Sequence, residues 1–426
     1  MARTSKAESR VQQASEANGA DDAFDPSRWL LDGIDSGTRL FDDVGFLYEL
    51  ELAKREIWPF LDDLDRFHTR AAYFEEVGGK TSHHKFISDL KGKGQIGRTN
   101  QYLTHWWYPY KAKFHPQMVK ALINWMGVLE GETILDPFCG SGTALVEAKT
   151  MGIDSVGVDL NPLCRLVSQV KCDLLDLDPT ELMRPDREKV LLHFDQKLGK
   201  LSNARRIGHR EVPLSSDAEI EKDPRIYGFF KTAYLYALSD YSYVNRPMRE
   251  GFEGNIGDLI PNLVKFDVWR HDVDLHLGGH RVVRGNAKSL DLPDSSIHGV
   301  VSSPPYSIAV DYIENDAHAL PFFGEDPDKL RQEMVGLRGP KDERVRLYYE
   351  DMRAAFSEMF RVLQSGRKCV IVVGDNTVGG KRLNNCEMFI EMAKSIGFDF
   401  VRTIRRPILG GFARLRYEYM ILFSKP

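Results

Sequence analysis

The sequence predicts an α/β fold, in which a doubly wound sheet of seven mostly parallel strands ends in an antiparallel strand. Strand and helix patterns alternate over 133–170, and a long amphipathic helix pattern at 348–363 leads into a buried strand at 368–373. The last two strand patterns, 398–404 and 417–423, have no helix pattern between them. Alternating strands and helices imply a parallel sheet covered by helices, and two consecutive final strands imply an antiparallel hairpin.

The N-terminal quarter of the chain lies outside this alternation. Residues 1–25 are rich in Ala, Ser, Glu, Asp and Asn and cannot bury enough apolar surface to offset chain entropy, so we predict a disordered tail. We assign 26–100 to a helical N-terminal extension with a basic loop. Apolar residues recur at helical spacing over 44–76, with Pro59 expected to end or kink the helix.

The alternating elements divide into two halves around an insertion. We assign 101–175 to the first half, 176–280 to a mainly helical insertion and 281–426 to the second half. In the first half we expect strands at Thr133–Asp136 and Ile153–Asp159 and helices at Ser141–Thr150 and Pro162–Val170. In the rest we expect a helix at 184–206, strands at Arg281–Arg284 and Gly299–Ser303, a helix at Tyr348–Leu363, a strand at Lys368–Val373, a helix at Asn384–Ser395, and strands at Phe398–Ile404 and Tyr417–Phe423.

Composition excludes several classes of protein. Among 426 residues the net charge is -5, which excludes a uniformly basic coat protein but not local basic faces. The five cysteines show no CxxC pair and no zinc-site spacing, so we expect reduced thiols and no metal site. The sequence shows neither an apolar run long enough to span a bilayer nor a secretory signal, and we expect no membrane contact and a cytoplasmic location.

Residues 80–113 are strongly basic and rich in aromatics. The segment contains seven Lys or Arg residues and a single acid, Asp89. Five aromatic residues lie among these charges: Tyr102, Trp106, Trp107, Tyr108 and Tyr110. Basic residues interleaved with aromatics suit phosphate neutralisation and stacking. A solvated loop beside a buried aromatic cluster is the alternative.

A glycine loop followed by an acid predicts a nucleoside-bearing cofactor. The loop Asp136-Pro-Phe-Cys-Gly-Ser-Gly-Thr143 joins a strand to a helix, where Gly140 and Gly142 let a ligand approach the backbone. Asp159 ends the next strand, 19 residues after Gly140, and a carboxylate there can accept both ribose hydroxyls. The loop lacks the lysine of a phosphate loop. Asp136 favours a cationic cofactor, and S-adenosylmethionine carries an ammonium and a sulfonium but no phosphate.

This loop resembles the first motif of the amino-methyltransferases of DNA and RNA, D-P-F-x-G-S-G-T, at every position. The resemblance covers about half of the chain and implies a Rossmann-like class I methyltransferase fold with S-adenosylmethionine as cofactor. Residues 108–116 resemble the element that precedes the glycine loop in this family. For Phe114, packing on the sheet is the alternative to a contact with the cofactor. The cofactor-binding residues implied are Lys113, Phe114, Asp136, Pro137, Phe138, Gly140, Gly142, Thr143, Asp159, Leu160, Asn286 and Ala287.

A second motif, Ser303-Pro-Pro-Tyr306, follows a strand and predicts a site for an amino group. Two prolines remove two N–H donors and fix the backbone as a stiff arm whose carbonyls can accept hydrogen bonds from an exocyclic amine. Ser303 can add another hydrogen bond, and Tyr306 offers a face for a flipped base. By resemblance, Ser303, Pro304, Pro305 and Tyr306 form the family's catalytic motif. The serine form is typical of cytosine-N4 enzymes, and Asp311-Tyr312 resembles the continuation seen in them.

The resemblance implies a site-specific methyltransferase of double-stranded DNA that flips its target base, with cytosine N4 the favoured target. DNA adenine N6, an amine of tRNA or rRNA, and a catalytically silent nucleic-acid-binding scaffold stay open as alternatives. Two features depart from the family: Asn286 stands where Asp is common, and the cofactor loop precedes the catalytic motif, whereas many cytosine-N4 enzymes have the reverse order. A separate restriction or defence partner protein also stays open.

Two further regions are candidates for nucleic-acid contact. The insertion at 176–280 contains a tyrosine-rich stretch and scattered arginines, and family insertions of this kind recognise the target. A basic strip lies around the final hairpin, where it suits a phosphate backbone. It consists of Arg402, Arg405, Arg406, Arg414 and Arg416. For the insertion, the alternative is a cover that packs on the rest of the protein without contacting substrate. For the basic strip, the alternative is that the arginines lie on strands exposed to solvent.

Overall fold

The computed structural model describes most of the chain from residue 102 onward. The described residues are 39–40, 74–77, 80–81, 102–110, 113–201, 220–272, 274–305, 311–340, 343–378, 381–407 and 417–426. The predicted tail at 1–25, most of the predicted helix at 44–76, Tyr306, Arg414 and Arg416 lie outside them. No helix in the described ranges is long and apolar enough to cross a membrane.

One seven-stranded sheet organises the described part of the chain. Its strands are β1 (Thr133–Asp136), β2 (Asp154–Asp159), β3 (His280–Arg284), β4 (Ile297–Ser302), β5 (Leu363–Gly374), β6 (Asp399–Pro407) and β7 (Tyr417–Ser424). Their order across the sheet is β3-β2-β1-β4-β5-β7-β6. The pairs from β3 to β5 are parallel, and β7 lies between β5 and β6, antiparallel to both. The fold class predicted from the sequence is confirmed, including the antiparallel last strand.

Helices cover both faces of the sheet. They are α1 (Pro116–Met126), α2 (Thr143–Lys149), α3 (Pro162–Asp176), α4 (Arg187–Leu201), α5 (Pro224–Val244), α6 (Met248–Asp272), α7 (Tyr312–Asn315), α8 (Pro327–Glu333), α9 (Arg344–Val362) and α10 (Asn385–Ile396). Successive strand residues point to opposite faces. Val301 thus joins the core beneath α1 and α2, while Val300 joins the core beneath α9 and α10.

The insertion is mainly helical, as the sequence predicts, and it shares a core with the sheet-covering helix α3. Phe229 of α5 and Phe252 of α6 are fully buried in one apolar cluster with Val167 and Val170 of α3. Trp107 lies in the same cluster, stacked on Phe229 with ring centroids 5.3 Å apart. Its indole N–H donates to the Asn255 carbonyl at 3.2 Å. The insertion is therefore built into the body of the protein.

Two predictions in the N-terminal region need correction. Phe74–Val77 is a strand and not the end of a helix, and it pairs antiparallel with Lys80–Thr81. The intervening Gly78-Gly79 is typical of a two-residue hairpin turn, a signal that the helical spacing obscured. In the basic, aromatic-rich segment 80–113, Tyr102, Trp107 and Tyr108 are buried, with at most 2% of each exposed, whereas Trp106 and Tyr110 are partly buried. The three buried rings cannot stack on bases, so for them the alternative of a buried aromatic cluster is favoured.

Candidate active site

A cavity lies at the carboxyl ends of β1 to β4. About 640 Å³ of empty space lies between its walls, a volume that includes solvent at its open side. Ligands of open parallel sheets bind at this edge because the loops that follow the strands diverge there. Its lining consists of Tyr110, Pro137, Phe138, Gly140, Asp159, Leu160, Gly285, Asn286, Ala287, Ser303, Pro305, Tyr312, Met334 and Val335. The cavity therefore brings residues of both predicted motifs together.

The glycine loop turns sharply between β1 and α2. Gly140 and Gly142 have φ angles of +50° and +79°, which L side chains rarely adopt. At Gly142 a Cβ would lie 2.8 Å from the Cα of Ser168, so α3 leaves no room for a side chain. The Ser168 hydroxyl in turn donates to the Gly140 carbonyl at 2.7 Å. The loop is thereby fixed against α3, with Gly140 facing the cavity.

Asp159 lies beside Gly140 at the end of β2. Its Oδ2 accepts the Gly140 N–H at 3.0 Å, and its Oδ1 accepts the Asn161 N–H at 2.8 Å. Burial raises the pKa of this carboxyl, although these hydrogen bonds oppose the shift. Because Asp159 lines the cavity while held by backbone donors, its oxygens are oriented to accept hydrogen bonds from ligand hydroxyls.

Asp136 lies under the glycine loop rather than in the cavity lining. Its side chain is only 2% exposed, and its Oδ1 accepts the Ser302 hydroxyl at 2.6 Å and the Phe138 N–H at 3.1 Å. Burial raises the pKa of Asp136 to about 7. The residue thus ties the end of β1 to the end of β4, just before the second motif.

The Ser-Pro-Pro arm leaves β4 at the edge of the cavity. Ser303 and Pro305 line the cavity, and Pro304 is buried between them. The hydroxyl of Tyr348, a fully buried residue of α9, donates to the Pro305 carbonyl at 2.8 Å. One of the carbonyls that the sequence offered to a substrate amine is therefore already engaged by the protein. Tyr306 lies outside the described residues.

The segment after the arm forms a second wall of the cavity. Asp311 caps α7 and pairs with Arg331 of α8 at 2.5 Å, so it supports this wall. Asp316 is buried and accepts the side-chain N–H of Asn161 at 2.5 Å, which links the wall to the loop after β2. Tyr312 lines the cavity from this wall.

Several predicted cofactor residues do not reach the cavity. The ammonium of Lys113 donates to the carbonyls of His105 and Tyr108, at 3.1 and 3.2 Å, and burial lowers its pKa to about 8. Phe114 packs against the core beneath α1 and α2, which favours the packing alternative. Gly142 and Thr143 lie at the start of α2, and Thr143 is buried. Their contribution is to shape the loop.

Other residues of the cavity lining were not among the predicted cofactor-binding residues. Tyr110 lies within 108–116 and Tyr312 within Asp311-Tyr312, two segments that resemble elements of the family, so a role in the site could have been inferred for both. Met334 and Val335 follow α8 in a stretch without any motif. That stretch is held by a buried carboxylate, as Asp351 accepts from both Lys288 and Arg338, at 3.2 and 2.8 Å, and Lys288 also donates to the Glu333 carbonyl. Such long-range pairings carry no local sequence signal.

The residues around the cavity fit the predicted cofactor. At Gly140 the backbone itself faces the cavity, and Asp159 offers carboxylate oxygens to a ribose. Leu160, Ala287 and Val335 supply an apolar surface suited to an adenine ring. Asn286 lies beside them, but its side-chain oxygen already accepts the Lys288 N–H at 3.1 Å. In the described part of the chain, His, Cys, Asp and Glu side chains form no group of three or more that could hold a metal ion.

Comparison with known proteins points to the same chemistry. A family described as an RMKL-like methyltransferase domain matches residues 106–176, which include the glycine loop and Asp159. The Type II methyltransferase M.MjaII of Methanocaldococcus jannaschii is 22% identical, over 86% of this chain and 88% of that protein. The Type II methyltransferase M.BsoBI of Geobacillus stearothermophilus is 32% identical, over 34% of this chain and 28% of that protein.

An RNA enzyme is also among the relatives. The tRNA (guanine(10)-N2)-dimethyltransferase of Methanothermobacter thermautotrophicus is 31% identical, over 28% of this chain and 34% of that protein. The matches thus include enzymes whose names differ in substrate but agree in methyl transfer. Together with the strand order and the cavity, they support an S-adenosylmethionine-dependent amino-methyltransferase family for this chain, with S-adenosylmethionine as its cofactor.

Proposed function

We propose that the protein methylates double-stranded DNA on the exocyclic amino group of a flipped base, with cytosine N4 the favoured target. The observation that carries this proposal is the shared cavity: Ser303 and Pro305 line the same space as Gly140 and Asp159. A base presented to the Ser-Pro-Pro arm would therefore meet the cofactor bound at the glycine loop. The Type II methyltransferases among the relatives support DNA as the substrate.

The arm would act chiefly by orienting the amine. An aromatic amine is a poor nucleophile because its lone pair is delocalised into the ring. Hydrogen bonds from its N–H groups to the Ser303 hydroxyl and the Pro304 carbonyl would favour a pyramidal nitrogen with the lone pair directed at the methyl group. When bound, the cofactor would supply that methyl group as an electrophile: the S–CH3 bond would break as the N–CH3 bond forms, S-adenosylhomocysteine would leave, and the methylated amine would lose a proton to solvent. Tyr306 would stack on the flipped base, a role that stays a prediction of the sequence.

The buried Tyr348 would position this arm. Because the Tyr348 hydroxyl donates a hydrogen bond to the Pro305 carbonyl, α9 fixes the backbone that precedes Tyr306. The Ser302–Asp136 hydrogen bond fixes the strand end on the other side of the motif. A rigid arm is what a reaction that depends on orientation requires.

The insertion is proposed to recognise the target. The exposed end of α5 carries Tyr241 and Tyr243, and the Tyr243 hydroxyl donates to the Asn315 carbonyl at 3.1 Å. The same ring packs edge-on against His318 of the second cavity wall. This helix end therefore packs on the segment that forms the second wall of the cavity, whereas the rings of Phe229 and Tyr234 are buried in the core.

An RNA amine is the second candidate, because a tRNA guanine-N2 enzyme matches part of the chain. A direct assay separates the candidates. The purified protein is incubated with labelled S-adenosylmethionine and either duplex DNA or tRNA, and digested nucleosides are identified by mass spectrometry. We expect N4-methylcytosine from DNA and none from Ser303→Ala. N2-methylguanine from tRNA alone would overturn the DNA proposal, and cofactor binding without any product would indicate a silent scaffold.

A further inference from the structure

Tyr110 lies where the two cofactor-binding elements meet. Its ring lines the cavity, and its Cε1 atom is 3.6 Å from the position that a Cβ on Gly140 would occupy. Gly140 is in turn hydrogen-bonded to Asp159 through its N–H. The tyrosine ring therefore lies against the junction between the glycine loop and the acid at the end of β2.

The chemistry of the cofactor places its charge at such a junction. In S-adenosylmethionine one sulfur atom joins the methionyl chain to the ribose, and that sulfur is a sulfonium. A cofactor whose methionyl part follows the glycine loop and whose ribose meets Asp159 must carry its sulfonium between the two. Tyr110, from the segment that precedes α1, lines the cavity against Gly140 and would therefore lie beside this sulfonium.

The surroundings of Tyr110 favour a cation. The carboxylates of Asp159, in the cavity lining, and of Asp316, which is buried, lie within electrostatic reach of Tyr110. The Tyr110 hydroxyl accepts the Cys164 thiol hydrogen at 3.1 Å, which fixes the ring to α3. The ring also stacks on Tyr312, with centroids 6.4 Å apart and an interplanar angle of 12°. Aromatic faces attract desolvated cations through their quadrupole.

We propose that the ring of Tyr110, supported by Tyr312, recognises the sulfonium charge, so that the site binds the methyl donor in preference to its neutral product. S-adenosylhomocysteine has the same adenosyl and homocysteinyl parts but an uncharged thioether. The ring would therefore stabilise the donor selectively. This inference depends on the cofactor and not on the nucleic acid substrate, so its failure would leave the proposed target untouched.

Binding measured by calorimetry without nucleic acid tests the inference. The ratio of the product Kd to the donor Kd is compared among wild type, Tyr110→Phe, Tyr110→Leu and the control Tyr227→Leu, a tyrosine of α5 that packs on Phe194. We expect Phe to keep the ratio, because the ring face remains. We expect Tyr110→Leu to lower it about 3- to 30-fold, and Tyr227→Leu to leave it unchanged.

Two outcomes would overturn the inference: an equal loss of affinity for donor and product in Tyr110→Leu, or no change in either Kd. If Tyr110→Leu does not fold, as judged by circular dichroism, fluorinated phenylalanines incorporated at position 110 keep the shape of the ring and weaken its quadrupole. Donor affinity should then fall stepwise with fluorination while product affinity stays constant. A flat series for the donor would contradict the proposal.

Discussion

At the scale of single residues, burial decides what the motif side chains do. Asp136 opens the glycine motif, and its sequence position suggested contact with a cationic cofactor. In the structure it is buried beneath the loop and accepts the Ser302 hydroxyl. The sequence identified Asp136 as the first residue of the motif, but it did not identify Ser302 as the hydrogen-bond donor, because Ser302 is 166 residues away. Through this hydrogen bond, Asp136 links the glycine loop to the end of β4, from which the Ser-Pro-Pro arm begins.

The raised pKa of Asp136 makes stability depend on pH. Its pKa of about 7 in the folded chain lies above the ordinary value of 3.8, so the folded state holds an extra proton between these pH values. Stability should therefore fall as pH rises through this window. Asp136→Asn keeps the acceptor oxygen and removes the titration. From pH 5 to pH 7 the variant should gain about 2 to 3 kcal/mol relative to wild type in urea unfolding. Parallel pH profiles would contradict this account.

Gly142 offers a test of the turn itself. Gly142→Ala should cost about 1 to 2 kcal/mol for its left-handed backbone and about 1 to 3 kcal/mol more for the collision with Ser168. Gly366→Ala is the matched control, since its φ of +77° is close to the +79° of Gly142 and nothing lies within 4 Å of its Cβ position. Urea unfolding gives both values. Equal losses would mean that α3 does not constrain the loop.

At the scale of elements, the sequence predicted the sheet better than its surroundings. β1 was predicted with its observed bounds, and the strands that follow differ by a few residues, because apolar runs bounded by Gly, Asp or Pro give clear local signals. The pairing of Phe74–Val77 with Lys80–Thr81 was not predicted, although Gly78-Gly79 offered a local signal for it. The support of the cavity by α8 and α9 was not predicted because it depends on pairings such as Asp351 with Lys288 and Arg338, which only tertiary structure brings together.

The support of the Ser-Pro-Pro arm by α9 can be tested with neighbouring tyrosines. Tyr348→Phe removes the hydroxyl that holds the Pro305 carbonyl and should lower the methylation rate about tenfold while leaving donor Kd unchanged. Tyr349→Phe is the control, because its hydroxyl donates to Asn385 at 2.8 Å instead. Single-turnover assays and calorimetry measure the two quantities. An equal effect of both substitutions would exclude a specific positioning role.

At the scale of the whole molecule, the net charge of -5 does not show where the basic residues are concentrated. The basic residues at 80–113 lie mostly outside the described residues, and the aromatics among them that are described largely belong to the core. In the basic strip around the final hairpin, Arg405 lies over the ring of Tyr417 and Arg406 pairs with Glu418, near the carboxyl end of β6. Both arginines therefore lie at the same edge of the sheet as the cavity. Their contact with phosphate stays a proposal.

Methylation of a host genome tests the central claim most directly. The protein and its Ser303→Ala variant are expressed in a host without DNA methylation, and single-molecule sequencing reports the modified base, its position and its sequence context. The account predicts N4-methylcytosine at one recurring sequence in cells with the wild-type protein, and unmodified DNA with the variant. Unmodified DNA in both, from protein that is folded and binds S-adenosylmethionine, would contradict it.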